Sequence, residues 1–185
     1  MPVHISLLRA INVGGHNKIK MDELRELYGT LGLRDVQTYI QSGNVVFQGR
    51  ARDPARLRRK IQDALARKSG IRTDVALRTT AEWRAAMDAN PFIRRPGTDL
   101  ARILVVFLAG EPAPEARRAL AQFRATPEEL RLIGREIHLY CPNGFGKLSF
   151  SWNALDRILK VPGTGRNWNT VVKLCEMAEA LESKS

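Results

Sequence analysis

The sequence predicts an α+β protein of two lobes, and three observations carry that expectation. Strand-like alternation and helical periodicity follow one another in the order β-α-β-β-α-β, and the same order begins again after residue 100. Between the two runs, Asn90-Pro91 breaks the chain and Arg94-Arg95-Pro96-Gly97-Thr98 has the composition of a linker. A chain of 185 residues suits one compact domain or two small lobes, with roughly 70% of the unfolded surface buried on folding.

Val3 to Ile11 alternates as a strand, with Val3, Ile5, Leu7, Arg9 and Ile11 on one face. A charge on an apolar face is costly, so Arg9 must reach solvent, a carboxylate or a ligand. Leu24, Leu27, Tyr28 and Leu31 mark a helix from about Met21, which Gly32 stops. Asp35 to Gln41 and Asn44 to Gln48 read as strands joined at a tight Ser42-Gly43 turn. Asp53-Pro54 caps and opens a helix with Leu57, Ile61, Ala64 and Leu65 inward and Arg52, Arg56, Arg59, Lys60 and Arg67 outward. Asp74 to Arg78 is a fourth strand, and Thr79 with Glu82 forms a capping box for a short helix holding Trp83 and Met87.

The second run starts with Ala101 to Leu108, apolar on both faces and therefore a central strand. Pro112 or Pro114 opens a helix with Ala116, Leu120 and Phe123 inward, and Leu130 to Ile133 and Ile137 to Cys141 form a hairpin around Gly134-Arg135. Trp152, Leu155, Ile158 and Leu159 mark one helix; Val171, Leu174, Cys175, Ala178 and Leu181 mark the last. The expected architecture is two ferredoxin-like (split β-α-β) subdomains, with antiparallel or mixed sheets and helices on one face. Their expected bounds are 1–92 and 100–185 with a linker at 93–99; a single mixed sheet is the alternative.

The net charge of +11 and pI near 10.4 favour anionic partners, and most of the field belongs to the first half. Residues 1–99 carry 18 basic and 10 acidic side chains, against 12 and 9 in 100–185. An arginine-rich habit that merely solvates helix faces is the plainer explanation. Cys141 and Cys175 lack CxxC partners, and His4, His16 and His138 lack ligand spacing, so neither a metal nor a disulfide framework is expected, and no cofactor. No leader or membrane-length apolar run is visible, so a cytoplasmic protein without a membrane partner is expected.

One corner concentrates polar chemistry. In a split lobe the loop after strand one and the turn between strands two and three share a sheet edge. That edge carries Arg9, Asn12, Gly14, Gly15, Lys18 and Lys20 beside Gln41, Ser42 and Asn44. Glycines free backbone N–H groups to approach an oxyanion, lysines neutralise its charge, and a nearby helix start adds to both. Gly14-Gly15 matches neither G-x-x-x-x-G-K-[ST] nor G-x-G-x-x-G, and a simple glycine turn with asparagines satisfying its backbone competes with ligand binding. A second cluster joins Lys147 to Arg166, Asn167, Trp168, Asn169 and Lys173 at the start of the last helix. There, too, Asn167 or Asn169 as helix cap and Trp168 as core compete with anion binding.

Leu8-Arg9-Ala10-Ile11-Asn12-Val13-Gly14-Gly15 with Asn17-Lys18-Ile19-Lys20-Met21, and Thr38-Tyr39-Ile40-Gln41-Ser42-Gly43-Asn44-Val45-Val46-Phe47, resemble the bacterial domain of unknown function 1697 family. Tyr140-Cys141-Pro142-Asn143-Gly144-Phe145-Gly146-Lys147 and Arg166-Asn167-Trp168-Asn169-Thr170-Val171 with Lys173-Leu174 also fit its pattern. The resemblance implies paired ferredoxin-like subdomains and no established activity. Ala10 stands where the family pattern has glycine, and Leu148-Ser149-Phe150 departs from the usual residues after the lysine.

The preferred expectation is a small anionic ligand, a nucleotide or phosphorylated metabolite, held in a basic cleft between the lobes where the two clusters meet. Nucleic-acid binding is the alternative, weakened because strand one has no aromatic residue and strand three only Phe47, while His138 and Tyr140 share a second-lobe strand face. A scaffold whose loops only lock the lobes is the third. No nucleophile-base arrangement or carboxylate pair stands out, and His16 in a glycine turn is a weak general base, so catalysis and oligomeric state stay open.

Overall fold

The computed structural model describes residues 1–50 and 53–184. Among the described residues, two four-stranded antiparallel sheets and six α-helices form an α+β fold that divides into two compact units. Unit 1 comprises 1–84 and 173–185; unit 2 comprises 85–172. The segment 93–99 falls inside unit 2.

In unit 1, β1 (Val3–Leu8), α1 (Met21–Thr30), β2 (Arg34–Tyr39), β3 (Asn44–Gln48), α2 (Pro54–Ser69) and β4 (Val75–Thr79) follow one another, and the sheet runs β2-β3-β1-β4. Leu7 pairs with Asn44 and with Ala76, so β1 lies central between antiparallel neighbours. Leu24, Leu27 and Tyr28 of α1 and Leu57, Ile61 and Leu65 of α2 pack with Leu8, Val45, Phe47, Val75 and Leu77 on one sheet face. Inside that core Ser6 Oγ and Tyr28 Oη lie 2.8 Å apart, and burial pushes the phenol far above its ordinary range.

Local signals explain the helix ends. Asp53 accepts the Arg56 N–H at 3.0 Å with Pro54 at the first turn, and Gly70 ends α2 at φ +67°. Arg52, expected on the outer face, lies outside the described residues. At α3 (Thr80–Asp88) the capping box forms in both directions: Thr79 N–H donates to Glu82 Oε2 at 2.8 Å, and Glu82 N–H to Thr79 Oγ1 at 3.2 Å.

Unit 2 repeats the order as β5 (Ile103–Leu108), α4 (Pro114–Gln122), β6 (Glu129–Ile133), β7 (Glu136–Tyr140), α5 (Trp152–Leu159) and β8 (Gly163–Asn167), with sheet order β6-β7-β5-β8; α6 (Trp168–Glu182) follows. β5 is buried along its whole length, as its two apolar faces require. The expected strand start at Ala101 is instead a 3-10 turn, Leu100–Arg102, capped by Asp99. Leu104, Val106, Leu108, Ile137 and Leu139 form a core with Leu120, Leu155 and Leu159. Within 93–99, the Arg95 guanidinium lies over the rings of Phe92 (5.2 Å) and Tyr140 (4.7 Å) and pairs with Glu129 at 2.6 Å.

Strand β8 is the largest departure from the sequence reading, which has its residues as a loop opening the last helix. Thr164 pairs with Phe107 and Arg166 with Val105, so the segment completes the sheet. Glycine conceals it, because strand propensity disfavours that residue. Here the space is already taken: a Cβ at Gly163 would lie 2.7 Å from Val106 Cγ1. Among the described residues, no helix is long and apolar enough to cross a membrane.

Candidate functional site

β1 stops at Leu8, three residues before the alternation does, and the chain turns away after Arg9. Arg9 is a half-buried turn residue: its N–H bonds to Asp74 O at 2.9 Å, carrying the β1–β4 register one residue past the strand, and Ala10 at φ +51° then turns the chain away. Ile11 also leaves the strand, yet it stays buried in the helix-side core.

The loop that follows is built from left-handed backbone. Ala10 (φ +51°), Asn12 (+55°), Gly14 (+57°), Gly15 (+81°) and Asn17 (+49°) all adopt it, as do Ile40 (+47°) and Gly43 (+69°) in the turn after β2. Asparagine tolerates this region, but a β-branched residue such as Ile40 does so only where its surroundings enforce it. β2 ends at Tyr39, so a four-residue connection, 40–43, replaces the expected two-residue turn.

One side chain ties the two segments together. Asn12 Nδ2 donates to Ile19 O and to Gln41 O, each at 3.0 Å, and its Oδ1 accepts the Ile19 N–H at 2.9 Å. Asn17 Nδ2 donates to Ala10 O at 3.1 Å, and Asn44 Nδ2 to Tyr39 O at 3.1 Å. These asparagines hold the loops in shape. Gly43 is required twice over, by its φ and because a Cβ there would lie 2.8 Å from Leu8 Cβ.

The outcome is an open concavity of about 550 Å³, walled by Asn12, Gly15, Lys18, Lys20 and Gln41 with Ile19 and Glu23. Five residues expected from the sequence therefore converge on one cavity, all within unit 1. Arg9, Gly14, Ser42 and Asn44 belong to the same two segments but not to its lining. Lys18 and Lys20 are exposed, and neither forms an ion pair with an acid among the described residues. The sequence reading omitted Glu23; its place three residues after Lys20, the N-cap of α1, is the signal that would have found it.

The later cluster is arranged differently. Asn167 Oδ1 caps α6 by accepting the Thr170 N–H at 2.9 Å. Trp168, the first residue of α6, is buried, while Asn169 and Lys147 are exposed. Arg166 lies in β8, buried; its guanidinium donates to Thr164 Oγ1 and Gly165 O, both at 2.8 Å, and burial lowers its pKa to about 10. Lys173 belongs to unit 1 and pairs with Glu176 at 3.1 Å.

Neither strand that an RNA-stacking sheet would use offers a face to solvent: β1 and β3 are buried along their whole length. Phe47 packs edge-on against Tyr28 and stacks on His4, and His138 is fully buried. Among the described residues, no group of three or more His, Cys, Asp or Glu could hold a metal ion.

A solved structure, described as that of conserved bacterial protein SP0830 from Streptococcus pneumoniae, is similar over 96% of this chain and 98% of its own, with 28% sequence identity and a TM-score of 0.72. No curated protein matches the chain. The profile of one family matches residues 1–138, spanning both the loop concavity and the first six strands. The chain thus belongs to the family described as Protein of unknown function (DUF1697).

Proposed function

We propose that unit 1 binds a small anionic ligand, a nucleotide or a phosphorylated metabolite, in the concavity between loop 9–20 and the 40–43 turn. One observation carries this reading: Lys18 and Lys20, without acidic partners among the described residues, stand over a cavity set between two segments of left-handed backbone, in which Ala10 and Ile40 hold that conformation despite their side chains. Such strain, of order 1–3 kcal/mol per residue, clusters where binding needs a preset shape. The lysines balance phosphate charge, and Gly15 lets the ligand approach the main chain. Glu23 on the same wall accepts hydroxyl hydrogens of an attached sugar. Two buried free thiols, Cys141 and Cys175, fit a reducing, cytoplasmic compartment.

The test is a thermal melt of the whole chain against nucleoside monophosphates and sugar phosphates, each carrying a single phosphate. At a ligand concentration 100-fold above Kd, stabilisation is about 2.7 kcal/mol, a rise of roughly 5–10 °C in Tm for a chain of this size. Lys18→Gln with Lys20→Gln removes that rise and leaves the ligand-free Tm unchanged, because both side chains are exposed. A ligand-free Tm lowered by as much as the lost shift sinks the proposal.

A further inference from the structure

We infer that unit 1 carries a second anion site, away from the loop concavity, that takes a polyphosphate chain, either inorganic or borne by a nucleoside. Where the chain passes from α1 into β2 and approaches the start of α2, an open cavity of about 780 Å³ gathers Arg34, Arg50, Arg56 and Lys60. That volume lies within the range of small-molecule sites, roughly 300–1,000 Å³.

Four cations are brought there from three segments. Arg34 opens β2 opposite Gln48, and Arg50 follows the end of β3, so one end of the sheet presents both. Arg56 and Lys60 stand one turn apart on the exposed side of α2, a like-charge pair that weakens a helix. The one acid on the cavity wall, Asp53, is engaged as the α2 cap through Arg56 N–H.

The contrast within the same unit is what gives the cluster meaning. Arg25 pairs with Asp22, Lys68 with Glu26, and Arg84 with both Glu179 and Glu182. None of the four cavity cations has an acidic partner among the described residues. A charge set that only solvated the surface would be spread out or paired, as Arg25, Lys68 and Arg84 are.

Ligand class follows from charge and shape. A single phosphate is satisfied by one or two cations; four around one cavity match a chain of linked phosphates. Leu33 and Leu57, both buried, add an apolar wall that a nucleoside could cover. A nucleic-acid strand calls instead for a cationic groove tracking its backbone, with aromatic side chains to stack its bases, and here the cations close around a hollow.

The experiment is isothermal titration of the full chain at 150 mM salt, an ionic strength that screens diffuse surface charge, with sodium tripolyphosphate, adenosine triphosphate, orthophosphate and a single-stranded DNA oligonucleotide. Tripolyphosphate is expected to bind at least tenfold tighter than orthophosphate. The pair Arg56→Gln and Lys60→Gln weakens it at least tenfold at unchanged Tm, whereas Lys18→Gln with Lys20→Gln, or Lys68→Gln, weakens it less than twofold. Tighter binding of the nucleoside triphosphate than of tripolyphosphate assigns the apolar wall to the nucleoside; equal binding assigns the site to the phosphate chain alone. Absence of binding by both, binding of the oligonucleotide alone, or equal weakening by Lys68→Gln overturns the inference. Loss caused only by the Lys18 and Lys20 changes also overturns it, by moving the ligand to the loop concavity.

Discussion

Ala10 shows how much one residue can say about a loop. The family resemblance implies glycine there, and the structure gives a reason for one: φ is +51°, a region that costs an L-residue with a Cβ about 1–2 kcal/mol. The side chain is exposed, so nothing is lost in packing when it is removed. Ala10→Gly is therefore expected to stabilise unit 1 by about 0.5–1 kcal/mol, the strain relieved less the extra entropy of an unfolded glycine. Urea midpoints of the two proteins read this directly, and a lower midpoint for the glycine variant contradicts the strain. Asn12 carries the opposite lesson. Its side-chain amide and carbonyl are spent on Ile19 and Gln41, so it shapes the cavity.

At the scale of elements, β8 marks the boundary of what pattern can reveal. Its sequence, Gly163-Thr164-Gly165-Arg166-Asn167, has neither alternating apolar residues nor a β-branched run, yet it pairs residue by residue with β5. The aliphatic side chains of β5 fill the layer that a side chain at 163 would occupy. Gly163→Ala should accordingly destabilise by about 1–3 kcal/mol, since the new Cβ would meet Val106 at 2.7 Å and Leu108 at 3.0 Å. Gly165→Ala, whose nearest contact is Leu104 at 3.3 Å, should cost less. Equal urea midpoints for wild type and Gly163→Ala would show that β5 yields freely. The helices behaved more predictably because their signals are local: Asp53, Thr79 with Glu82, and Gly70 act within one turn of the residues they serve.

For the whole molecule the informative group is His138. It is fully buried on β7, neither ring nitrogen has a hydrogen-bond partner among the described residues, and burial pushes its pKa down to about 4. The unfolded imidazole titrates near 6.5. Between those values the unfolded chain holds a proton that the folded chain refuses, so stability falls as pH drops through this window. The loss is about 1.4 kcal/mol per pH unit, roughly 3 kcal/mol in all. His4, lowered chiefly by its own burial, adds in the same direction. In His138→Leu the difference between urea stabilities at pH 7 and pH 4.5 should shrink by most of that amount. An unchanged acid slope in this variant would assign acid sensitivity to other groups.

The sequence by itself determined the α+β class, the strand-helix order but for β8, the caps at Asp53 and at Thr79 with Glu82, and the early loop as a place where glycines and lysines gather. Each of these is written within a few residues, in periodicity, capping pairs and glycines. Only the tertiary structure decided that Arg9 leaves the strand, that Arg166 is a buried strand residue, and that Glu23 joins Lys18 and Lys20 around one cavity. It also decided that Arg34 and Arg50 meet Arg56 and Lys60. The reason is physical: burial, strand pairing and clustering of like charge depend on residues far apart in the chain, and no local pattern encodes which of them will meet.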